Sequence, residues 1–238
     1  MSKQTRCYRY DFRGHLGFPA TASGAGTPWT IADTSSAGSP TFGGATGGGY
    51  TMAFSSTSEI QNLCLYFGDV LAFDIDELIR ASFIVKTEAT LDSATSLAFG
   101  LASARNDAID SITEAALFRL IGDNNIVVET DDGTNNNDDV SAGLTLNDTY
   151  KRFEINFAER NTTLEPPSLS TGRKSNVGFY AANDYGSLRR VASGTRFDMS
   201  NYSGGLQPFI QIQKTADTNT DSVEVLEVEI EVNLPNYA

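Results

Sequence analysis

The amino-acid sequence predicts an all-β protein: one antiparallel β-sandwich of the jelly-roll type, preceded by an extended Gly/Ser-rich N-terminal arm. Three observations lead there. Short runs alternate apolar and polar residues with the two-residue period of a strand, most clearly at 96–101, 208–214 and 223–232. Asn, Asp and Gly separate these runs at sandwich spacing; they favour turns because they tolerate positive φ and bond their own backbone. No stretch carries the apolar period of a long helix. With 238 residues, 40% of them hydrophobic, the chain can bury a substantial core in a single domain.

Taken in order, Tyr8, Tyr10 and Phe12 alternate with Arg9, Asp11 and Arg13, a short strand pattern. From Ala20 to Gly49 the composition shifts to Gly, Ser, Thr, Ala and Pro, which bury little. Residues 1–49 are therefore expected to form an arm and linker, and residues 50–238 the sandwich. Trp29, the only tryptophan, interrupts this stretch and reads as an anchor into the core rather than as a platform for a ligand. The run Gly47-Gly48-Gly49 is followed by neither Gly-Lys-Ser/Thr nor a helix pattern, so it is no phosphate-binding loop, and the chain calls for no cofactor.

Residues 50–54, 60–67 and 81–87 read as strands; 69–79 is either a strand entering a turn or one short helix. In 96–101, Leu97, Phe99 and Leu101 face inward, with Ala98 and Gly100 opposite; 103–114 is a loop or a single helical turn. The centre, 115–158, reads as strand, turn, strand, long loop, strand, the loop being the polar run 131–139. Beyond Pro166 and Pro167, strands are expected at 176–181, 188–192, 208–214 and 223–232. In the last, Leu226, Val228, Ile230 and Val232 share one face, and Glu227, Glu229 and Glu231 the other.

A net charge of −13 argues against nucleic-acid binding, which needs a basic footprint, and no apolar stretch is long enough to span a membrane. Lys3, Arg6, Arg9 and Arg13 precede a long gap without cations that ends at Arg80. A basic end on an acidic body suggests an arm that docks on an acidic neighbour. Cys7 and Cys64 show no metal-ligand spacing. Cys64, in Leu63-Cys64-Leu65, reads as a small buried hydrophobe, and a bridge between the two stays open. The start lacks an apolar signal core, so a reducing cytoplasm is the expected site of synthesis.

Glu227, Glu229 and Glu231 are the sharpest catalytic candidates, since two carboxylates on one strand face can serve as nucleophile and acid at a glycosidic bond. Their neighbours are Val and Ile, and the same row describes a solvent-facing strand. Asp131, Asp132, Asn135 and Asp138 offer the oxygen ligands calcium prefers, though no closing Glu makes their loop an EF-hand. The competing reading is an Asx-rich turn. His15, the only histidine, has no nucleophile motif beside it. Tyr180, Tyr185 and Tyr202 lie in or near turns, where they could stack on sugars or pack against strands.

The stretches 96–101, 118–120, 129–133, 151–157, 197–200 and 206–212 together resemble the concanavalin-A-like jelly-roll structural proteins of tailed phages, from Tyr50 to the end. The resemblance implies a virion component: a non-enzymatic capsid decoration or cement protein bound to the major capsid protein. It would be made in the host cytoplasm without a signal peptide and would be a homo-oligomer, a trimer being favoured. Arg6, Arg9 and Arg13 would then meet acidic groups on the shell, and Trp29 or Phe42 would provide apolar anchorage. The alternatives are a carbohydrate-binding module of a tail or fibre and a glycoside hydrolase.

Overall fold

A computed structural model describes residues 4–13, 27–157, 173–182 and 186–234. In chain order its strands are β1 (Thr5–Asp11), β2 (Thr30–Asp33), β3 (Thr41–Gly44), β4 (Tyr50–Ala53), β5 (Glu59–Tyr66), β6 (Phe73–Asp74), β7 (Leu78–Thr87) and β8 (Thr95–Ala102). There follow β9 (Glu114–Ile121), β10 (Asn125–Asp132), β11 (Asn136–Thr145), β12 (Lys151–Asn156), β13 (Gly178–Ala182), β14 (Arg189–Val191), β15 (Gly205–Asp217) and β16 (Ser222–Asn233). No α-helix occurs among the described residues, only short 3-10 turns.

Two antiparallel eight-stranded sheets stack face to face, the expected jelly-roll sandwich. One, here the terminal sheet, runs β14-β13-β12-β7-β16-β4-β3, with β1 beside the second half of β16. The other, the meander sheet, runs β11-β10-β9-β8-β15-β5-β2, with β6 against the start of β15. The side chains that alternate inward meet in one core. Leu97, Phe99 and Leu101 face Phe83, Phe153 and Ile155 across it, all fully buried. Phe99 stacks on Phe118 at 5.4 Å and meets Phe153 edge-on at 5.0 Å. Burying each such ring stabilises the fold by about 1.5–3 kcal/mol. Gly100 is required where β8 passes β9, because a Cβ there would sit 2.2 Å from the Ala116 carbonyl oxygen.

The N-terminal region departs from an arm. β1 pairs with β16 from Thr5↔Asn233 to Asp11↔Glu227, β2 pairs with β5, and β3 forms a hairpin with β4. A boundary at residue 49 would fall inside that hairpin. The small residues of 27–49 make short edge strands, which need few large side chains because a neighbour covers only one side. Residues 14–26, including His15, lie outside the described residues.

Two further differences have physical causes. In the polar run 131–139 only 133–135 form a tight turn, the rest ending β10 and starting β11, an edge strand whose Asn and Asp side chains face solvent, so it lacks an apolar alternation. β12 then leaves the meander and joins the terminal sheet between β7 and β13. In β16 a bulge between Val225 and Glu227 shifts the alternation. Val223 and Val225 point inward before it, and Val228 and Ile230 after it.

Candidate functional site

The outer face of the terminal sheet carries the carboxylate row of β16. Glu227, Glu229 and Glu231 do share a face, but each is held by a guanidinium. Arg80 on β7 reaches three strands at once, with Nε donating to Glu231 at 2.8 Å, Nη2 to Glu229 at 2.5 Å and Nη1 to Glu154 of β12 at 3.3 Å. Arg9 and Arg13 both donate to Glu227 Oε2, at 2.6 and 2.9 Å. A pair of catalytic carboxylates needs a cleft in which both are free to reach a substrate; here all three are engaged by arginines of their own chain.

The same contacts relocate the basic arm. Arg9 and Arg13 face a carboxylate of their own chain, and Arg6, exposed, lies over the Tyr8 ring at 5.9 Å. Trp29 is 1% exposed, edge-on to Phe67 at 4.8 Å and to Tyr10 at 5.5 Å. It anchors its own segment in its own core, and its burial corrects the expectation of an apolar contact with a partner.

Phe42 is half-buried on β3 and lines a groove of about 490 Å³ with Gly43, Gly44, Thr51, Lys86 and Glu224. Lys86 Nζ lies 3.2 Å from Glu224, whose Oε2 accepts a 2.7 Å bond from the Tyr150 hydroxyl. Of the three tyrosines, Tyr202 donates its hydroxyl to Gly205 O at 2.7 Å and closes a turn. Tyr180 sits mid-strand on β13 opposite Glu154, and Tyr185 lies outside the described residues.

The calcium candidates do not gather. Asp132 Oδ1 accepts the N–H groups of Thr134 and Asn135, and Oδ2 accepts the Asn135 amide together with the backbone and side chain of Asn201. Burial works against this carboxylate's charge, but the N–H bonds outweigh it, and its pKa falls below the usual range. Asp131 accepts from Gly133 N. These are turn-closing bonds, so Asp131, Asp132 and Asn135 serve the hairpin. Asp138 instead joins Glu129 and Asp139, their oxygens within 4.8 Å of one another.

That triplet surrounds Arg119, which is 4% exposed on β9. Its guanidinium lies 2.7 Å from Glu129, 3.9 Å from Asp139 and 2.5 Å from Asp110. A fixed cation stands where a metal would have to neutralise the acids. Asp110 belongs to residues 103–113, which cross the outer face of the meander sheet. Ile109 and Ile112 pack there on Cys64, Ala98, Ala102, Ala115, Leu117 and Phe209. Gln211 Nε2 donates to Asn106 O at 2.9 Å and Arg105 Nη2 to Thr34 at 2.8 Å. This group carries no signal in the sequence: Arg119 is an isolated cation in an apolar strand, and Ala98 and Ala102 are only small side chains on the neighbouring strand.

The two-sheet topology is that of a concanavalin-A/lectin-like jelly-roll sandwich. The chain is similar in structure to a protein of unknown function from Shewanella oneidensis MR-1 (TM-score 0.59, 11% identity, 98% of this chain and 88% of that one). It is also similar to peanut lectin (0.57, 8%, 98% and 99%) and to a Bacillus licheniformis β-glucanase (0.55, 11%, 94% and 97%). At these identities the likeness concerns the fold alone. No protein-family model matches the chain, and no curated protein sequence does.

Proposed function

We propose that this protein is non-enzymatic and works by adhesion, as a decoration protein on the capsid of a tailed phage. The observation that carries the non-catalytic part is the grip of Arg80 on Glu154, Glu229 and Glu231, which spends the acids a glycosidase would need. Rigid sheets with cross-linked outer faces suit a structural role. The capsid assignment rests on the sequence resemblance. Its proposed partner is the major capsid protein, and its proposed state a homo-oligomer, with a trimer favoured. With Trp29 buried and Arg9 and Arg13 paired internally, contact falls to other surface residues, Phe42 and Arg6 among them. Purifying particles from a producing culture tests the reading: the protein should band with intact heads in a fixed copy number, and its absence from washed particles would overturn the assignment.

One observation favours a second reading, a carbohydrate-binding module. The groove beside β3 combines a half-buried ring, threonine hydroxyls and a paired Lys86–Glu224, which can donate to and accept from neighbouring sugar hydroxyls. A Cβ on Gly44 would meet nothing within 4 Å, so Gly44→Leu fills the groove without disturbing the fold. Selective glycan-array binding that this variant loses would favour the module over the capsid role.

A further inference from the structure

Residues 103–113 leave β8 and return into β9 through a closed base. Ser103 N–H donates to Glu114 O at 2.9 Å, and Ser103 Oγ to Glu114 Oε2 at 2.8 Å. A loop pinned at its base can swing as one piece without disturbing the strands that carry it. What it covers is unlike the solvated outer face usual for an antiparallel sheet. The strip is apolar and made largely of small side chains, so that Ile109 and Ile112 fill a trough centred on Cys64, Ala98 and Leu117.

The closure is imperfect. Arg105 Nε, Arg119 Nε and Gln211 Oε1, all at this interface, are buried without a hydrogen-bond partner. Leaving such an atom dry costs free energy comparable to that gained by burying an aliphatic side chain. Opening would return all three to water and offset part of what is lost in exposing two isoleucines and in trading for water the bonds of Asp107 and Arg105 to Thr34, of Arg105 N–H to Asp69 and of Asn106 O to Gln211. The ionic hold is also uneven. Arg119 on β9 faces Glu129 of β10, Asp138 and Asp139 of β11 and Asp110 of the loop, more carboxylates than one guanidinium neutralises. Asp110, 80% exposed, is the one free to leave.

We propose that residues 103–113 form a strap that lifts from the meander sheet within the folded protein, latched by Arg119 and Asp110, and uncovers the trough around Cys64. Its setting makes the strap pH-sensitive. Burial, helped by Asp138 and Asp139, pushes the Glu129 carboxyl up to about 7 against the pull of Arg119. Lifting the strap readmits water and lets that carboxyl return toward its ordinary range. The closed state therefore holds the proton more tightly, and opening grows as pH rises through about 7.

Cys64 reports the motion. It is fully buried, and burial pushes its thiol up, so it reacts only when uncovered. Cys7→Ser leaves it as the sole thiol. Reaction of that protein with dithiodipyridine at low urea should proceed at a rate almost independent of urea, as a local opening does. Asp110→Asn, a change at an exposed side chain, should raise the rate about two- to fivefold. Glu129→Gln should flatten its pH dependence once normalised to a free model thiol. Reaction that follows the full urea dependence of global unfolding, or a rate unmoved by Asp110→Asn, would overturn the strap.

Discussion

Arg119 Nη1 stands 2.7 Å from Glu129 Oε2, and the two side chains are almost wholly withdrawn from solvent. The pair joins neighbouring strands β9 and β10 on the outer sheet face that residues 103–113 cross.

Glu129 is raised from 4.5 to about 7 by burial first, with Asp138 and Asp139 adding to it and Arg119 opposing. A carboxyl raised by folding binds its proton more tightly in the native state. Its contribution is complete below the unfolded value and is lost as pH rises through the folded one. Between about pH 5 and pH 8 the parent should therefore lose about 2 kcal/mol more stability than Glu129→Gln, read from urea unfolding. Equal slopes would show that Glu129 stays ionised throughout.

Arg80 ties three strands of the terminal sheet. Arg80→Met takes the shared cation from Glu154, Glu229 and Glu231, leaving Glu154 with Arg152 at 3.9 Å, while partial exposure softens the loss; a cost of about 2 kcal/mol is expected. Glu229→Gln and Glu231→Gln should each cost less than about 1 kcal/mol, since Arg80 keeps its other partners. Denaturant midpoints of the three variants check the order, and its inversion would mean that the row is not held as described.

Trp29 packs among Tyr10, Phe12 and Phe67. As the only tryptophan it should emit at short wavelength and resist iodide quenching in the isolated protein. Trp29→Ala should cost about 3–5 kcal/mol. Red-shifted, readily quenched emission would return it to a partner-facing role.

Lys214 is 1% exposed on β15, and its Nζ donates to the carbonyls of Ser55, Thr57 and Asn219 at 2.8, 3.0 and 2.9 Å. It holds the turn after β4 against the turn before β16. Lys214→Met leaves three acceptors short of a donor and should cost about 2–4 kcal/mol by thermal or chemical unfolding. A near-neutral change would mean that water replaces the ammonium freely.

Strand identity was most legible where one face meets the core. Leu97, Phe99 and Leu101, or Val228 and Ile230, alternate with the strand period because a one-residue slip would turn greasy side chains to water. That signal fades at edges. β11, with Asn136, Asn137, Asp138 and Asp139, has too little buried surface to show it, and β2 and β3 hide among small residues. Of the candidate residues, Glu227, Glu229 and Glu231 were found with their shared face, and Asp138 was found without its neighbours.

The sequence by itself determined the secondary structure class, the inward faces of the long strands and the acidic character of the surface, since each depends on residues a few positions apart. Only the tertiary structure decided what the charges do. Arg80 meets Glu231 across 151 positions of chain, Arg9 meets Glu227 across 218, and Arg119 meets an Asp110 carried back by a loop. Electrostatic pairing depends on distance in space, and strand order, which fixes that distance, arises from packing the two sheets together.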